Sequence, residues 1–392
     1  AKEVSNVIRN EALRSITKAE LDGLSLSKIM NMRWVLTVKS DGRAKARLVI
    51  LGFQAHNAVS VQAASPTLSK LGRLLLLSVV ANMGWLLESA DVTSAFLQAV
   101  AVLEDEGLFV WAPAELGAAF GGSGADDSTI LKVKRAFYGL VHAPRKWWES
   151  VRDTLLAAGW IPIQADRCLY VLFNSQKELV GICGFHVDDF LVSGCLQDPV
   201  YKKARDSLEK AFEWGRWDRD SFEFAGCEVS QAPDGTITIG QETYSNRWLE
   251  EIPLTKERAK QASSKCTAKE VSDIRAALGT LSWRANQTSP QFLAEVGLFL
   301  SEVPEATVDM IERVNKLVRE AKRTSCQKLI FHPYKRDWRE LACIVWADAA
   351  QGNRKRFGST VGMVAGLAPV EILNGDRVPV NMVAWRSQKA PR

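Results

Sequence analysis

The chain lacks any run of about 18 or more apolar residues, so no segment reads as a transmembrane helix. Its longest apolar stretch, Leu74 to Val80, is broken by Ser78 and reads as a core helix. None of the seven cysteines forms a Cys-x-x-Cys pair, and the four histidines have no metal-ligand spacing. A zinc site and a disulfide framework are therefore not expected, and the thiols read as small buried residues in a reducing compartment. There is no apolar signal core at Ala1-Lys2-Glu3-Val4 and no initiator methionine, from which a fragment of a longer chain is expected. Internal repeats and low-complexity tracts are also missing. What is present is globular in kind: of 392 residues, 47% are hydrophobic and 24% charged. That length suggests roughly two or three domains.

The net charge of +5 is unevenly spread, with ten Lys and Arg against five Asp and Glu in the first 60 residues. A second basic region runs through Arg313, Lys316, Arg319, Lys322, Arg323 and Lys328. Basic surface fits a polyanionic partner, although a solvated helix face explains the second region equally well. Thirteen tryptophans are an unusual number. Trp34, Trp147, Trp148, Trp214 and Trp217 adjoin charged residues and could stack bases, with burial in the core as the default for each.

Residues 1–30 read as a helical lead-in. Alternation at 33–54, with Ser40-Asp41-Gly42 as the turn, predicts a hairpin. Ser69 to Met83 predicts a helix capped by Ser69 and stopped by Gly84. Trp85 to Val92 reads as a strand, Gly121 to Asp127 as a loop and Ile130 to Lys134 as a strand. Pro144 to Ala158 reads as a helix ending at Gly159, and Pro199 to Trp214 as another. Phe222 to Val229 and Thr236 to Ile239 form a strand pair across Pro233-Asp234-Gly235. Helical periodicity dominates from Glu242 to about Arg323, and alternation returns from Ile344 to Trp385. The middle of this order matches a split βαβ palm on an antiparallel sheet.

Within that order, Asp188-Asp189 lies between two short apolar runs and reads as the turn of a hairpin. Asp91 sits in a similar apolar setting. One Asp together with an Asp-Asp pair is the ligand set that a two-metal phosphoryl-transfer site requires. An ordinary Asx-type turn is the competing explanation for Asp188 and Asp189.

Six motifs in order carry a resemblance. They are Lys45-Ala46-Arg47-Leu48-Val49 with Gly52-Phe53-Gln54, Ser65-Pro66-Thr67, Asp91 through Leu97, Ala136-Phe137-Tyr138-Gly139-Leu140 with Ala143-Pro144-Arg145, His186-Val187-Asp188-Asp189, and Phe224-Ala225-Gly226. Together they resemble the reverse transcriptase of copia-type LTR retrotransposons over nearly the whole chain. His186 stands where that family usually has Tyr, Val141-His142 where it has Lys-Gln, and Ala225 where it has Leu. Trp346-Ala347-Asp348-Ala349, Ser359-Thr360 and Ala384-Trp385-Arg386-Ser387 resemble the first half of the ribonuclease H domain that follows.

The resemblance implies an α+β right-hand polymerase of fingers, palm and thumb with an antiparallel-sheet palm, followed by a truncated ribonuclease H-like segment. Residues 1–240 would be fingers and palm, 241–328 a helical thumb or connection, and 329–392 the start of the ribonuclease H-like domain. The implied activity is RNA-directed DNA synthesis by two-metal nucleotidyl transfer. Asp91, Asp188 and Asp189 would be the catalytic metal ligands for two Mg2+ ions, with Mn2+ as a substitute. Lys45 and Arg47 would meet the triphosphate, Arg being suited to phosphate oxygens. Phe96 would exclude a ribose 2′-hydroxyl, Tyr138 and Gly139 would lie beside the nucleotide and template base, and Phe224, Ala225 and Gly226 would form the primer grip. Asp348 would be a ribonuclease H ligand short of its partners, so no ribonuclease H activity is expected. Implied partners are an RNA template, a DNA primer and product strand, deoxynucleoside triphosphates, and the integrase and ribonuclease H parts of one polyprotein, with no membrane. The implied location is intracellular, in a cytoplasmic retrotransposon particle with a possible nuclear stage. The alternative is a catalytically decayed nucleic-acid-binding remnant; a two-metal nuclease fits less well, because it would not need triphosphate-reaching residues.

Overall fold

The lead-in breaks into short pieces instead of one helical stretch. The structure is a computed structural model that describes residues 2–38, 42–100, 103–122, 129–354 and 358–390. Helix α1 (Lys2–Arg9) gives way to strand β1 (Leu13–Ser15) and the short α2 (Lys18–Asp22), which starts from a capping box at Thr17 and Glu20. The predicted hairpin follows as β2 (Ile29–Val38) and β3 (Ala44–Ile50). The expected turn residues Ser40 and Asp41, and Ser123 to Asp127 of the expected glycine-rich loop, lie outside the described residues.

Helix α3 (Lys70–Met83) has the predicted ends. Ser69 Oγ accepts from Gly72 N, and Gly84 at φ +64° stops it. Its interior, Leu74 through Ala81, is almost wholly buried. Next come β4 (Leu87–Val92), β5 (Phe109–Trp111), α4 (Ala114–Ala119) and β6 (Ile130–Val133). Strands β1, β6, β5, β2 and β3 form one sheet in that order, with β2 and β5 parallel.

Helix α5 (Ala143–Ala157), with Pro144 in its first turn, leads into β7 (Ile161–Ile163), β8 (Asp166–Phe173), β9 (Leu179–His186) and β10 (Asp189–Gly194). Helix α6 (Pro199–Ala211) ends sooner than its periodicity suggests, because Trp214 begins strand β11 (Trp214–Asp218). Trp214 finds Phe190, Phe212 and Trp217 as ring neighbours, and that packing outweighs helical continuation. The central sheet runs β11-β4-β10-β9-β8-β7 and is antiparallel throughout. This is the palm arrangement expected from the split βαβ order.

The stretch predicted as one strand from Phe222 to Val229 is itself a hairpin. Strands β12 (Ser221–Phe224) and β13 (Cys227–Gln231) are joined by Ala225 and Gly226, at φ +48° and +73°. Two positive-φ residues make the tight turn whose twist matches antiparallel strands. Strand β14 (Ile237–Gly240) pairs with β13 as predicted.

Helices α7 (Glu242–Trp248), α8 (Lys256–Ala259), α9 (Ala268–Gln287), α10 (Leu293–Glu302) and α11 (Val308–Arg323) pack around their own core, which includes Ile274, Leu278, Leu281, Val296, Ile311 and Val318. The basic face of α11 is ion-paired: Arg313 with Glu302, Arg319 with Glu251 and Glu312, Arg323 with Glu320. That favours the solvated-face explanation there. Strand β15 (Leu329–Phe331) joins β14, and β16 (Leu341–Arg354), β17 (Gly358–Pro369) and β18 (Asn381–Lys389) form a separate sheet. Val383 and Trp385 of β18 belong to the same large core as the palm. Among the described residues no helix is long and apolar enough to cross a membrane. Cys168, Cys183 and Cys227 are buried thiols, while Cys326 and Cys343 are exposed.

Candidate active site

A strand with one carboxylate among apolar neighbours can place that group at a sheet surface only if the next strand is in the right register. Here Asp91 on β4 lies directly opposite Asp189 on β10, which in turn lies opposite His186 on β9. Directly opposed residues have Cβ atoms about 4.5–5.5 Å apart on one sheet face. The hairpin turn is Val187-Asp188, one residue earlier than the Asp-Asp turn expected from the sequence, because Asp189 already pairs as the first residue of β10. Val92 N donates to Asp188 O at 3.0 Å, so the strand that carries Asp91 also holds the turn. Val187 sits at φ +61°. For a β-branched residue that left-handed conformation costs roughly 1–2 kcal/mol.

Asp189 feels the other two carboxylates. Asp189 is pushed up to about 7, by burial first and then by the Asp188 and Asp91 carboxylates; Arg216 opposes this and Glu223 adds to it. Negative charge gathered in this way is the chemistry that suits a cation: a divalent ion would relieve what a proton relieves in its absence. In the conformation described, no group of three or more His, Cys, Asp or Glu side chains among the described residues is drawn in closely enough to hold a metal. Gly215 on β11 leaves room beside Asp91, for a Cβ there would come within 3.0 Å of Asp91 Oδ2.

Next to the carboxylates lies a cluster built by the β2–β3 hairpin and the segments after β4 and β6. Lys45, Arg47 and Val49 share a face of β3. The Arg47 guanidinium lies 5.7 Å from the centre of the Tyr138 ring, and that ring is 5.1 Å from Phe96. Ile50 N donates to Tyr138 O at 2.8 Å, and Gly139 is pressed so close to β3 that a Cβ would stand 2.0 Å from Ile50 O. The Tyr138 hydroxyl is pushed up to about 12, by burial first, then by the Glu3 carboxylate; Asp188 adds to this, while Arg47 and a hydrogen bond with Ser94 oppose it. Arg47, Phe96, Tyr138 and Gly139 are thus brought together, with Asp188 close enough to act on the Tyr138 hydroxyl. Lys45 is linked to them through its shared β3 face with Arg47 and its charge acting on Glu3.

Sequence reasoning missed the part that α1 plays. Glu3 Oε1 accepts from Leu48 N at 3.3 Å, and its proton affinity is raised by burial against the pull of Arg47 and Lys45. Asn6 Nδ2 donates to Ser94 Oγ at 3.0 Å, and Arg9 pairs with Glu213 at 2.8 Å. Ser94, at φ +51°, lies between Asp91 and Phe96. Nothing in the local pattern of residues 2–9 marks these long-range contacts.

The Phe224-Ala225-Gly226 turn lies near the carboxylates, since Glu223 beside it raises the proton affinity of Asp189. Phe224 is buried and Gly226 exposed. Trp283 of α9 approaches this turn, within 3.9 Å of where a Gly226 Cβ would stand. Trp147 and Trp148 are core residues, 1% and 5% exposed. Asp348 is not drawn into this site: it lies on β16, opposite Gly362, exposed, with its carboxylate accepting from Ala349 N.

A palm-like antiparallel sheet with opposed carboxylates on its central strands and a basic hairpin beside them is the arrangement the sequence resemblance leads one to expect. Residues 23–264 match the family described as reverse transcriptase (RNA-dependent DNA polymerase). The match covers more than half of the chain, and the chain belongs to that family. It is 30% identical over 224 residues to the retrovirus-related Pol polyprotein from transposon RE2 of Arabidopsis thaliana, covering 55% of this chain and 14% of that protein. It is 20% identical to the transposon Ty1-JR1 Gag-Pol polyprotein of Saccharomyces cerevisiae, covering 93% of this chain and 21% of that one. The chain therefore spans a small part of the length of these relatives. Among solved structures, the prototype foamy virus protease-reverse transcriptase aligns over 99% of this chain and 42% of its own, with 11% identity and a TM-score of 0.34.

Proposed function

We propose that this chain is the polymerase portion of a copia-type retrotransposon Pol polyprotein and copies element RNA into DNA. The observation that carries the reading is the register of Asp91 against Asp189, with Asp188 tied to the Asp91 strand through Val92. Asp91, Asp188 and Asp189 would hold two Mg2+ ions, which supply charge neutralisation for the attacking hydroxyl and the leaving pyrophosphate. Arg47 and Lys45 bind and orient the triphosphate, Arg47 from a position already stacked toward Tyr138. Tyr138 and Phe96 form the wall against which the sugar and base rest, and Phe96 selects against a 2′-hydroxyl by its bulk. Gly139 lets the fingers strand and the nucleotide wall approach closely. The turn at Ala225-Gly226 is the primer grip, and the exposed Trp283 lies at its side. The RNA template, DNA primer and deoxynucleoside triphosphates are the substrates of this reading. Integrase and ribonuclease H parts of the same polyprotein are its proposed neighbours, in an intracellular, cytoplasmic particle.

Primer extension on an RNA template with Mg2+ tests the reading. Extension is expected from the purified chain and is expected to fall by about 1000-fold or more in Asp188→Asn, a loss of the size that goes with removing a central electrostatic group. Template binding without extension by the unmutated protein would instead support the decayed, binding-only reading.

A further inference from the structure

Trp147 lies on α5, 1% exposed, with its ring edge-on to Phe212 at 5.0 Å. Its indole N–H points at the turn that carries Asp188: Nε1 donates to Val187 O at 2.6 Å. The acceptor belongs to the residue held at φ +61°, a conformation a valine leaves readily unless something retains it. The carbonyl of Val187 and the N–H of Asp188 lie in one rigid peptide plane, so fixing the oxygen fixes the plane and the start of Asp188. On the far side of Asp188, its own carbonyl accepts from Val92 N at 3.0 Å. Asp188 is therefore gripped through the peptide before it and the peptide after it. A flip of Val187 to negative φ would turn the carbonyl away from the indole and strand a buried donor.

We propose that Trp147 is a positioning residue for nucleotide addition: its indole N–H holds the left-handed Val187 turn and so sets where the Asp188 carboxylate stands. This rests on the polymerase reading above for its kinetic consequences and, for its effect on cation binding, only on the part of that reading that makes Asp188 a cation ligand. The bond belongs to a tryptophan whose sequence context reads as ordinary core, and what gives it a role is the strained residue it meets.

The test compares the unmutated protein with Trp147→Phe, which keeps aromatic bulk and removes the donor, and with Trp147→Phe combined with Val187→Gly, which removes the strain the donor restrains. Trp147→Phe is expected to lower kcat for primer extension on the order of 10- to 100-fold, with the deoxynucleotide KM within about twofold of the unmutated value. It is also expected to weaken Mn2+ binding, followed by the metal's electron paramagnetic resonance signal, by about tenfold. Adding Val187→Gly is expected to recover both. If Trp147→Phe folds poorly, 3-benzothienylalanine at position 147 keeps the bicyclic shape without the N–H and serves in its place. Unchanged kcat and Mn2+ affinity in the donor-free protein would overturn the proposal, and so would a loss that Val187→Gly does not recover. An unmutated protein that binds Mn2+ yet extends no primer defeats the polymerase reading instead, and the Mn2+ affinities alone then decide the role of Trp147.

Discussion

Asp189 is a carboxyl group whose folded-state proton affinity exceeds its unfolded one. Its value of about 7, against an ordinary 3.8, comes from burial and from the Asp188 and Asp91 carboxylates. Between those two values the folded protein holds a proton that the unfolded chain has lost, so stability falls as pH rises through that window. Below it the penalty is absent, and above about 7 it is fully developed. Integrated over the window the effect is roughly 4 kcal/mol at most. Asp189→Asn should therefore raise the melting temperature at pH 8 and leave it nearly unchanged at pH 4. An equal gain at both pH values would mean that burial and the neighbouring carboxylates do not raise the proton affinity of Asp189. If Asp91, Asp188 and Asp189 hold Mg2+ as proposed, Mg2+ should stabilise the unmutated protein at pH 8 more than the Asn variant, because an ion held there would relieve the same repulsion.

At the scale of elements, the site depends on one close crossing. Strand β3 and the segment after β6 meet at Gly139 and Gly52, where a Cβ would stand 2.0 Å from Ile50 O and 2.2 Å from Gly139 O respectively. Gly139 also has φ +92°, so space and conformation both demand glycine. Gly139→Ala should destabilise the protein by about 2 kcal/mol or more and, by displacing Tyr138 from Arg47, raise the deoxynucleotide KM. A variant with unaltered denaturant midpoint and KM would refute the close approach. This crossing was partly legible in the sequence, since Ala-Phe-Tyr-Gly-Leu stands out, as do Asp91 in its apolar strand and Asp188-Asp189 between two apolar runs. Other parts were not. Glu3 and Asn6 act across dozens of residues, and local patterning carries no trace of such contacts. Ala225 at φ +48° hid a hairpin inside what alternates like one strand. Trp214 fits a helical face as well as a strand, and only its aromatic neighbours decide between them.

Across the whole molecule, a buried tryptophan is one of the points that join the C-terminal sheet to the palm and the helical core. Trp385 on β18 is 4% exposed, and its Nε1 donates to Ala285 O of α9 at 3.0 Å. Lys70 of α3 lies over its ring, 4.1 Å from the centre, and donates to Trp385 O at 3.4 Å. A cation over an indole is partly compensated for leaving water, but burial, with Arg73 nearby, still pushes Lys70 down to about 8. For a lysine with a lowered value, the unfolded chain keeps a proton that the folded protein has lost between about 8 and the ordinary 10.5, so this group makes stability rise with pH across that window. Asn381, on the same strand, donates to Ser78 Oγ and to His332 O, so β18 is fixed to α3 at a second point. Trp385→Ala should cost about 3–5 kcal/mol, because three elements lose their common contact. It should also expose Lys70 to water and flatten the rise in stability between pH 8 and pH 10.5. Denaturant melts of the two proteins across that range measure both effects. A rise that survives in Trp385→Ala would mean that Lys70 is desolvated by α3 and its other neighbours, and that β18 is not what closes over it.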